Sequence, residues 1–341
     1  MSSTWMVRAG QGGRFFDDFK ERSIVAIGWR AVRDLSKLHT RDEIAKAVRD
    51  AYPDFRDQAV TMTAGQLYRF AIEFAERDRV VTYDPRARVY LCGEIAGPYL
   101  FWPNEESEEF LNQRAVAWTH EKPRDQLSAV ARNSLGAIST IFSIPQRVSD
   151  ELWGHATIAD PPQTVNEAGE VPVESTILPA PVLNGEDVHT LANEAIKDRI
   201  AELSWQDMQE LVAGLLRAMG YKTIVSPPGA GRGKDIVASP DGFGFQEPRI
   251  VVEVKHRIGE RIGSQQIRSF LGGRHPKDKG LYVSTGGFSK DAYYEAERAT
   301  IQVTLLDFEG LVEAILDRYP SFDEETRQIL PLRRVYWPLG K

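Results

Sequence analysis

Two β-branched runs joined by a short loop constrain this chain more than any other feature of its sequence. The first run, Ile236-Val237, follows Asp235, and the second is Ile250-Val251-Val252-Glu253-Val254-Lys255. Runs of this kind, bounded by Gly, Pro and Asp, are typical of adjacent strands in a hairpin or meander. Residues i and i+2 of a strand point to the same face, so Glu253 and Lys255 project together.

These polar side chains have a chemical use. A glutamate and a lysine inside an apolar strand are costly to bury unless they are paired or hold a metal. Asp235 and Glu253 can supply hard oxygen ligands to Mg²⁺, which keeps several waters and suits phosphate chemistry. Lys255 can position or deprotonate an attacking water, or neutralise charge on the phosphate. The alternative is a surface strand with an ordinary Glu–Lys pair.

The flanking sequence predicts an alternation of helices and strands. Ser204 is an N-cap candidate for a helix whose apolar residues recur at helical spacing until Gly220 ends it. A second helix starts within 262–273, and Ser289 caps a third that runs through Glu297. Further strands are predicted at 280–285 and 301–306, and a last helix contains 311–316.

This order of elements resembles the catalytic domain of Mrr-type restriction endonucleases, which belong to the PD-(D/E)XK nuclease superfamily. The matching pieces are L-L-x-x-M-G-Y, G-x-G-x-D-I, E-V-K, Q-I-x-x-F-x-G and V-S-T-x-x-F-S. The resemblance implies an α/β fold, a mixed sheet flanked by helices, with Asp235, Glu253 and Lys255 catalytic, Asp235 and Glu253 on the metal, and Gln266 supporting the site.

The first helix departs from the family pattern. Many members of the family place a glutamate there, and the best-matching position here is Gln209, with Glu210 next to it. We count Glu210 among the candidate catalytic residues, and the sequence leaves open which of the two fills the role.

Length and composition set broad bounds. With 341 residues the chain has room for two domains. It has no apolar run of about 18 residues, so we expect no membrane span. The N-terminus lacks a basic region followed by an apolar one, and Cys92 is the single cysteine, so neither secretion nor a disulfide framework is expected. A cytoplasmic location fits these features.

The charge distribution divides the chain. No Lys or Arg occurs between Arg147 and Lys197, a stretch that holds nine acidic residues and several prolines. This stretch therefore carries −9, and the remaining 40 acids against 42 basic residues give the rest of the chain +2. We therefore predict a domain over 1–146, an acidic linker over 147–190, a nuclease domain over 191–320 and a C-terminal tail over 321–341.

The first domain has many short predicted strands and few helices. Thr40 and Thr63 are N-cap candidates for helices ending near Tyr52 and Glu76, and Ser128 is one for the closing helix. Such a pattern suggests an α+β domain built around a small barrel. The strands are expected at 5–10, 23–29, 80–83, 89–95 and 113–120.

Short motifs of this domain resemble PUA-like modules of the EVE type, which often bind a modified base flipped out of a duplex. The matching pieces are Ile27-Gly28-Trp29 and Gly93-Glu94-Ile95-Ala96-Gly97-Pro98-Tyr99. The resemblance implies an aromatic cage, with Asp84 or Glu94 reading a base edge. The alternative is that the aromatic residues are ordinary core residues. Candidates for the cage are Trp29, Tyr99, Phe101, Trp102 and Trp118.

Basic residues cluster around the Glu253–Lys255 strand and the helix after it. Phosphate contacts by such residues supply sequence-independent DNA affinity, although a solvated charged face is the alternative. The DNA-binding candidates are Arg257, Arg261, Arg268 and Arg274.

Together these features predict a modification-dependent restriction endonuclease that hydrolyses double-stranded DNA with Mg²⁺. One such site cuts one strand, so a homodimer is expected. Two alternatives stay open: a structure-specific or repair nuclease with the same catalytic core, and a non-catalytic DNA-binding sensor.

Overall fold

The computed structural model describes residues 2–103, 110–137, 139–154, 185–227, 234–272 and 274–336. Contacts divide the chain into two units, Met1–Asp187 and Val188–Lys341, each of which is described by itself. Within the ranges described, no helix is both long and apolar enough to cross a bilayer. The predicted loop at 231–233 and residues 155–184 of the predicted linker lie outside these ranges.

The first unit combines one sheet with helices. Its strands are β1 Thr4–Val7, β2 Ile24–Ile27, β3 Arg79–Asp84, β4 Val89–Phe101, β5 Asn112–Pro123 and β6 Ile141–Ser143. Its helices are α1 Phe16–Arg22, α2 Arg41–Ala51, α3 Asp57–Tyr68, α4 Ala129–Leu135 and α5 Gln146–Trp153, with a π-helical turn at Arg69–Glu73. The strand order is β2-β5-β4-β3-β1-β6. Only β1 and β3 pair in parallel among these neighbours.

Side chains alternate across this sheet. Val80 and Val81, neighbours on β3, enter two different apolar clusters because successive side chains of a strand point to opposite faces. One cluster contains residues of α1, α2 and α3, and the other contains residues of α4 and α5. The α+β character of this unit is confirmed, and the PUA-like barrel stays a prediction.

Two predictions for this unit need correction. Thr63 does not cap a helix, because α3 begins at Asp57 and buries Thr63 in its interior. The linker does not begin at residue 147, since α5 occupies that stretch and buries Val148 and Leu152. Acidic charge and prolines suggested the linker there, but the apolar residues at i and i+4 hold α5 against the sheet.

The second unit is a mixed sheet covered by helices, as predicted. Its strands are β7 Lys222–Val225, β8 Ile236–Ser239, β9 Arg249–Lys255, β10 Asp278–Ser284 and β11 Val303–Leu306, in the order β11-β10-β9-β8-β7. The three strands β9, β10 and β11 are parallel, and β8 is antiparallel to both of its neighbours. The helices are α6 Gly185–Ala201, α7 Trp205–Ala218, α8 Ser264–Leu271, α9 Lys290–Glu297, α10 Phe308–Arg318 and α11 Glu324–Ile329.

The two faces of this sheet carry different helices. Val252 and Val254 of β9 pack in an apolar cluster with α6, α7 and α10. Tyr282 of β10 packs in a second cluster with α8 and α9. The predicted caps are confirmed: the Ser204 side chain accepts a hydrogen bond from Asp207 N and that of Ser289 accepts one from Ala292 N.

The segment after residue 320 belongs to this core. Phe322 and Leu330 are buried in the cluster of α7 and α10, and Thr326 of α11 lies against Gly214 of α7. The boundary predicted at residue 320 therefore cuts through a packed region, because the apolar residues beyond it complete the core.

Candidate active site

Asp235 precedes β8 at the end of the hairpin where β9 finishes. Its N–H donates to Val252 O at 2.8 Å, and its Oδ2 accepts from the N–H of Val254 at 2.8 Å. Backbone pairing thus fixes both the main chain and the carboxylate of Asp235 against β9.

Glu253 lies on the neighbouring strand with only 9% of its surface exposed. Its partner in the parallel register of β10 is Tyr282, which is buried. Burial raises the pKa of Tyr282, and the charges of Glu253 and Asp235, with a hydrogen bond to Glu253, raise it further. Tyr282 therefore remains a neutral donor beside Glu253. Tyr282 was not predicted as a site residue, although its place on the strand predicted at 280–285 was a signal.

Lys255 joins these groups from the end of β9. Its Nζ lies 2.8 Å from Glu253 Oε1, as expected for side chains two residues apart on one face. Its side chain is 39% exposed and that of Glu253 11%. The ammonium group therefore stands between a buried carboxylate and solvent.

Burial and a neighbouring carboxylate shift the pKa of Asp235. Burial raises its pKa above the ordinary value of 3.8. The hydrogen bond from Val254 opposes this rise, the charge of Glu253 reinforces it, and Lys255 and the Gln209 side chain lower the pKa. Two carboxylates near each other and shielded from water form a site that favours a cation.

The structure distinguishes Gln209 from Glu210. Gln209 is 2% exposed and acts on the Asp235 carboxylate, although its Nε2 has no partner that meets full hydrogen-bond geometry. Glu210 instead pairs with Arg217, with Oε1 and Nη2 2.8 Å apart. Adjacent residues of a helix point in different directions, so the buried Gln209 lies beside Asp235 while Glu210 faces Arg217. The candidate catalytic role of Glu210 therefore needs correction.

Gln266 lies on the surface at the start of α8. Its Oε1 accepts from Gly263 N at 3.2 Å, which caps its own helix. This contact does not connect it with Asp235, Glu253 or Lys255.

The structure gives ion pairs for two of the four predicted DNA-binding residues. Arg257 pairs with Glu260 at 3.3 Å and Arg268 with Glu295 at 3.0 Å. Arg274 is partly buried over the Phe270 ring, 4.5 Å from its centroid, and burial lowers its pKa. Arg261 is exposed.

The predicted base cage is not assembled as expected. Tyr99 and Trp118 line different pockets, Trp118 Nε1 donates to Phe19 O at 2.8 Å, and Asp84 is buried in a turn where Oδ1 accepts from Arg86 N. Trp102 is exposed.

Trp29 lies in a third pocket of the first unit, with other aromatic residues. This cavity of about 180 Å³ is lined by aromatic, glycine and arginine residues. Phe15 and Phe110 meet edge to face with centroids 5.1 Å apart, and the Arg14 guanidinium lies 4.4 Å from the Phe15 centroid. Neither Phe15 nor Phe110 was predicted for this pocket, and the Phe15-Phe16 pair after Gly13 was a signal for Phe15 alone.

The backbone at Trp29 is unusual. Its φ is 57°, in the left-handed region, which a bulky residue rarely adopts. Such outliers cluster at functional sites, where surrounding structure holds them.

Two family models match the chain. Residues 200–315 match Mrr_cat, described as a restriction endonuclease, and residues 5–145 match DUF8426, a domain of unknown function. The second match leaves the PUA-like resemblance untested.

Individual relatives cover only parts of the chain. An uncharacterised protein, y4cE of Sinorhizobium fredii (strain NBRC 101917 / NGR234), is 28% identical over 99 residues, which are 28% of this chain and 25% of that protein. The chain thus matches a quarter of that relative's length.

Three solved structures share a limited likeness. A protein of unknown function, AF1548, is 22% identical with a TM-score of 0.24, covering 32% of this chain and 65% of that one. The MspJI restriction endonuclease, solved with a 27-mer oligonucleotide, is 11% identical with a TM-score of 0.32, covering 80% of this chain and 69% of that one. AspBHI, a DNA modification-dependent restriction endonuclease, is 14% identical with a TM-score of 0.30, covering 81% of this chain and 73% of that one.

The Mrr_cat match spans α7 through most of α10 and contains the hairpin that carries Asp235, Glu253 and Lys255. The second unit of this chain therefore contains, over residues 200–315, a restriction endonuclease domain of the Mrr_cat family.

Proposed function

We propose that the protein is a DNA endonuclease that hydrolyses phosphodiester bonds at Asp235, Glu253 and Lys255. The observation that carries the proposal is the convergence of these three side chains on one end of a hairpin within the Mrr_cat domain. An ordinary surface Glu–Lys pair would not place a buried glutamate beside a second, half-buried carboxylate.

The donor set fits Mg²⁺. The raised pKa of Asp235, caused by burial and by the neighbouring Glu253, indicates carboxylates that a cation would stabilise. Within the described ranges, no group of three or more His, Cys, Asp or Glu side chains is arranged for a metal. Asp235 and Glu253 would therefore share the ion with waters, as Mg²⁺ prefers. When bound, Mg²⁺ would supply positive charge for the phosphate and lower the pKa of a water.

Lys255 would act on the reacting groups from the solvent side of the site. Its ammonium group is partly exposed and anchored by Glu253. From there it can orient a water or stabilise negative charge that develops on a phosphate oxygen. Removing one donor of this type typically lowers the rate by about 10²–10³-fold.

Gln209 and Tyr282 would position the carboxylates. Gln209 of α7 lies beside the Asp235 carboxylate. Tyr282 of β10 lies beside the Glu253 carboxylate. Both are buried and uncharged, so they orient the site without adding charge.

We further propose that the first unit binds a modified base in the pocket around Trp29. The support is the aromatic residues and the two arginines that line the pocket, together with the strained backbone of Trp29. Aromatic faces stack on a flipped base, and the cavity is several times the volume of a water molecule. Recognition there would make cleavage depend on modification.

Double-strand cleavage would require two catalytic domains, because one site cuts one strand. We therefore propose a homodimer on double-stranded DNA. Sedimentation with and without a duplex tests this, and a single protomer per duplex that still cuts both strands would contradict it.

The nuclease proposal is tested by Mg²⁺-dependent cleavage of plasmid DNA by the wild type and by Lys255→Ala. The variant should lose at least about 100-fold in rate. Lys46→Ala, which removes an exposed lysine of the first unit, is the matched control and should cleave normally. Equal rates for the wild type and Lys255→Ala would refute the active site.

The recognition proposal is tested by Phe15→Ala, with cleavage compared on methylated and unmethylated plasmid. Loss of preference for the modified plasmid is expected, with folding checked by thermal unfolding. Trp118→Phe, which alters a predicted cage residue outside this pocket, should keep the preference. An unchanged preference in a folded Phe15→Ala variant would refute the pocket assignment.

A further inference from the structure

The loop between β8 and β9 displays two phenylalanines to solvent. Phe243 is 78% exposed and Phe245 86% exposed. Their rings are stacked, with centroids 6.1 Å apart and planes 21° apart. Exposing large apolar rings to water is energetically unfavourable, so a pair of exposed rings side by side indicates a binding surface.

Asp241 fixes the loop that carries these rings. Its Oδ1 accepts from Phe243 N at 3.1 Å and Gly244 N at 3.0 Å. Its Oδ2 accepts from Phe245 N at 3.0 Å and Gln246 N at 3.1 Å. One carboxylate therefore organises four consecutive backbone amides and sets the direction of both rings.

The buried Ser239 hydroxyl and two glycines complete this arrangement. Ser239 Oγ donates to Asp241 Oδ1 at 2.8 Å and accepts from Gly242 N and Gly244 N, both at 3.0 Å. Gly242 and Gly244 have φ of +80° and +81°, a conformation that glycine adopts without strain. The loop is thus built to one shape, and both rings are presented at little conformational cost on binding.

Four basic side chains surround the two rings, and two of them are paired with acids. Lys222 lies beside Gly242, and Arg249, which pairs with Asp278 at 2.7 Å, lies beside Gly244. Lys277, which pairs with Glu247 at 2.7 Å, and the exposed Lys279 lie on the adjoining strand and the residue before it. Aromatic rings interleaved with basic side chains are the pattern by which proteins hold nucleic-acid bases and phosphates together.

The size of the apolar surface argues against a second protein. A Phe side chain buries about 150–250 Å², so the two rings together offer about 300–500 Å² of apolar surface. Glycines and charged side chains surround this surface. A specific protein interface buries about 1,200–2,000 Å² in total. Two rigid rings are instead sufficient for a wedge or a stacking platform on bases.

We propose that Phe243 and Phe245 form a base-stacking element through which the catalytic unit contacts DNA away from the cut. It rests on the proposed nuclease function. The loop and Lys255 stand at opposite ends of β9, whose six residue steps span about 20 Å. Along a duplex that distance corresponds to about six base pairs. The element would hold or unstack a step on one side of the scissile phosphate.

The test is binding of the full chain to a 30-base-pair duplex in EDTA, which removes metal for hydrolysis, with 2-aminopurine placed at successive positions. Wild type should bind and raise 2-aminopurine fluorescence at one position. The Phe243→Ala/Phe245→Ala variant should bind at least about fivefold more weakly, because stacking contributes about 5- to 150-fold per base. The fluorescence rise should disappear.

Three controls separate the explanations. Tyr294→Ala, which removes another exposed aromatic residue of this unit, should bind like the wild type. Phe243→Trp/Phe245→Trp should retain binding, since larger rings still stack. The slope of affinity against salt concentration should be unchanged in the alanine variant, because no phosphate contact is lost.

Several outcomes would overturn the inference. If the alanine variant binds DNA with wild-type affinity, the inference is refuted and the nuclease proposal stays intact. The inference is also refuted if sedimentation without DNA shows a dimer for the wild type and a monomer for the alanine variant, because the rings would then contact a second copy of the chain. A wild-type chain that binds no DNA would refute the proposed function and the inference with it. Thermal unfolding of the alanine variant should match the wild type, since both rings are exposed.

Discussion

Arg217 Nε lies 2.6 Å from Asp323 Oδ2, which ties the end of α7 to the start of α11. The same guanidinium pairs with Glu210, which lies two turns earlier on α7. Because α7 also carries Gln209, this network holds the helix that supports Asp235. Glu210, the neighbour of the position that best matches the family's glutamate, is thus part of this ion-pair network.

Gln209→Ala should slow cleavage, whereas Glu210→Ala should not. Gln209→Ala removes a buried side chain beside Asp235 and should lower the cleavage rate at least about tenfold. Glu210→Ala breaks a partly exposed pair worth about 0–1 kcal/mol and should leave the rate near the wild-type value. Cleavage kinetics and thermal unfolding on both variants check this, and a larger rate loss in Glu210→Ala would reverse the assignment.

Asp323 should make stability depend on acid pH. The hydrogen bond from Arg217 lowers the pKa of Asp323 to about 2, below the value of about 3.9 for an unfolded aspartate. Its stabilisation is therefore present above the unfolded pKa and lost as the pH falls from about 4 to 2.

Asp323 also caps α11, since its Oδ1 accepts from Thr326 N at 2.8 Å. Asp323→Asn keeps a capping oxygen but removes the charge, whereas Asp323→Ala removes both. Asp323→Ala should cost about 0.5–2 kcal/mol at neutral pH, and Asp323→Asn less. Unfolding in urea at pH 7 and pH 3 measures the differences, which should shrink at pH 3; differences that stay constant with pH would contradict the ion pair.

Asp235→Asn should trade activity for stability. Because burial raises the pKa of Asp235, the folded state disfavours its charge, and the stability of the wild type falls as the pH rises through the raised value. Asparagine carries no charge, so the variant should unfold at a higher temperature at neutral pH while losing cleavage. Asp317→Asn, an exposed aspartate, is the control; a destabilised Asp235→Asn variant would show that the carboxylate is not strained.

Gly214→Ala should destabilise the second unit. A methyl group there would lie 2.8 Å from Thr326 Cβ, closer than real contacts allow, and overpacking of this kind costs about 1–3 kcal/mol. Alanine in an exposed helix interior normally stabilises by about 1 kcal/mol over glycine, so the expected sign is reversed.

Gly65→Ala is the matched control, because Gly65 lies within α3 and its added methyl would meet no atom within 4 Å. Calorimetry on both variants makes the comparison. An unchanged or raised unfolding temperature for Gly214→Ala would show that α7 and α11 separate more easily than the structure indicates.

Local signals predicted much of the fold. The caps at Thr40, Ser204 and Ser289 and the β8–β9 hairpin follow from residues close in sequence, because a hydroxyl or a β-branched run acts within a few positions. The short strand β7 and the helix α11 were missed, since their few residues gain stability from packing against distant elements.

The site was predictable in part for the same reason. Glu253 and Lys255 share a face by strand periodicity alone, whereas Tyr282 reaches Glu253 through a strand register that sequence does not specify. Gln209 and Glu210 are neighbours, and only the packing of α7 decides which one faces Asp235. The aromatic residues of the first unit were named by type, but Tyr99, Trp118 and Trp29 reach three different pockets.

The most direct test of the central claim is Mg²⁺-dependent cleavage of two matched plasmids, one unmodified and one carrying methylated or hydroxymethylated cytosine. We predict selective cutting of the modified plasmid by the wild type, and no cutting of either by Asp235→Asn. Equal cutting of both plasmids by the wild type would contradict recognition by the first unit. Cutting by Asp235→Asn at the wild-type rate would contradict the catalytic site itself.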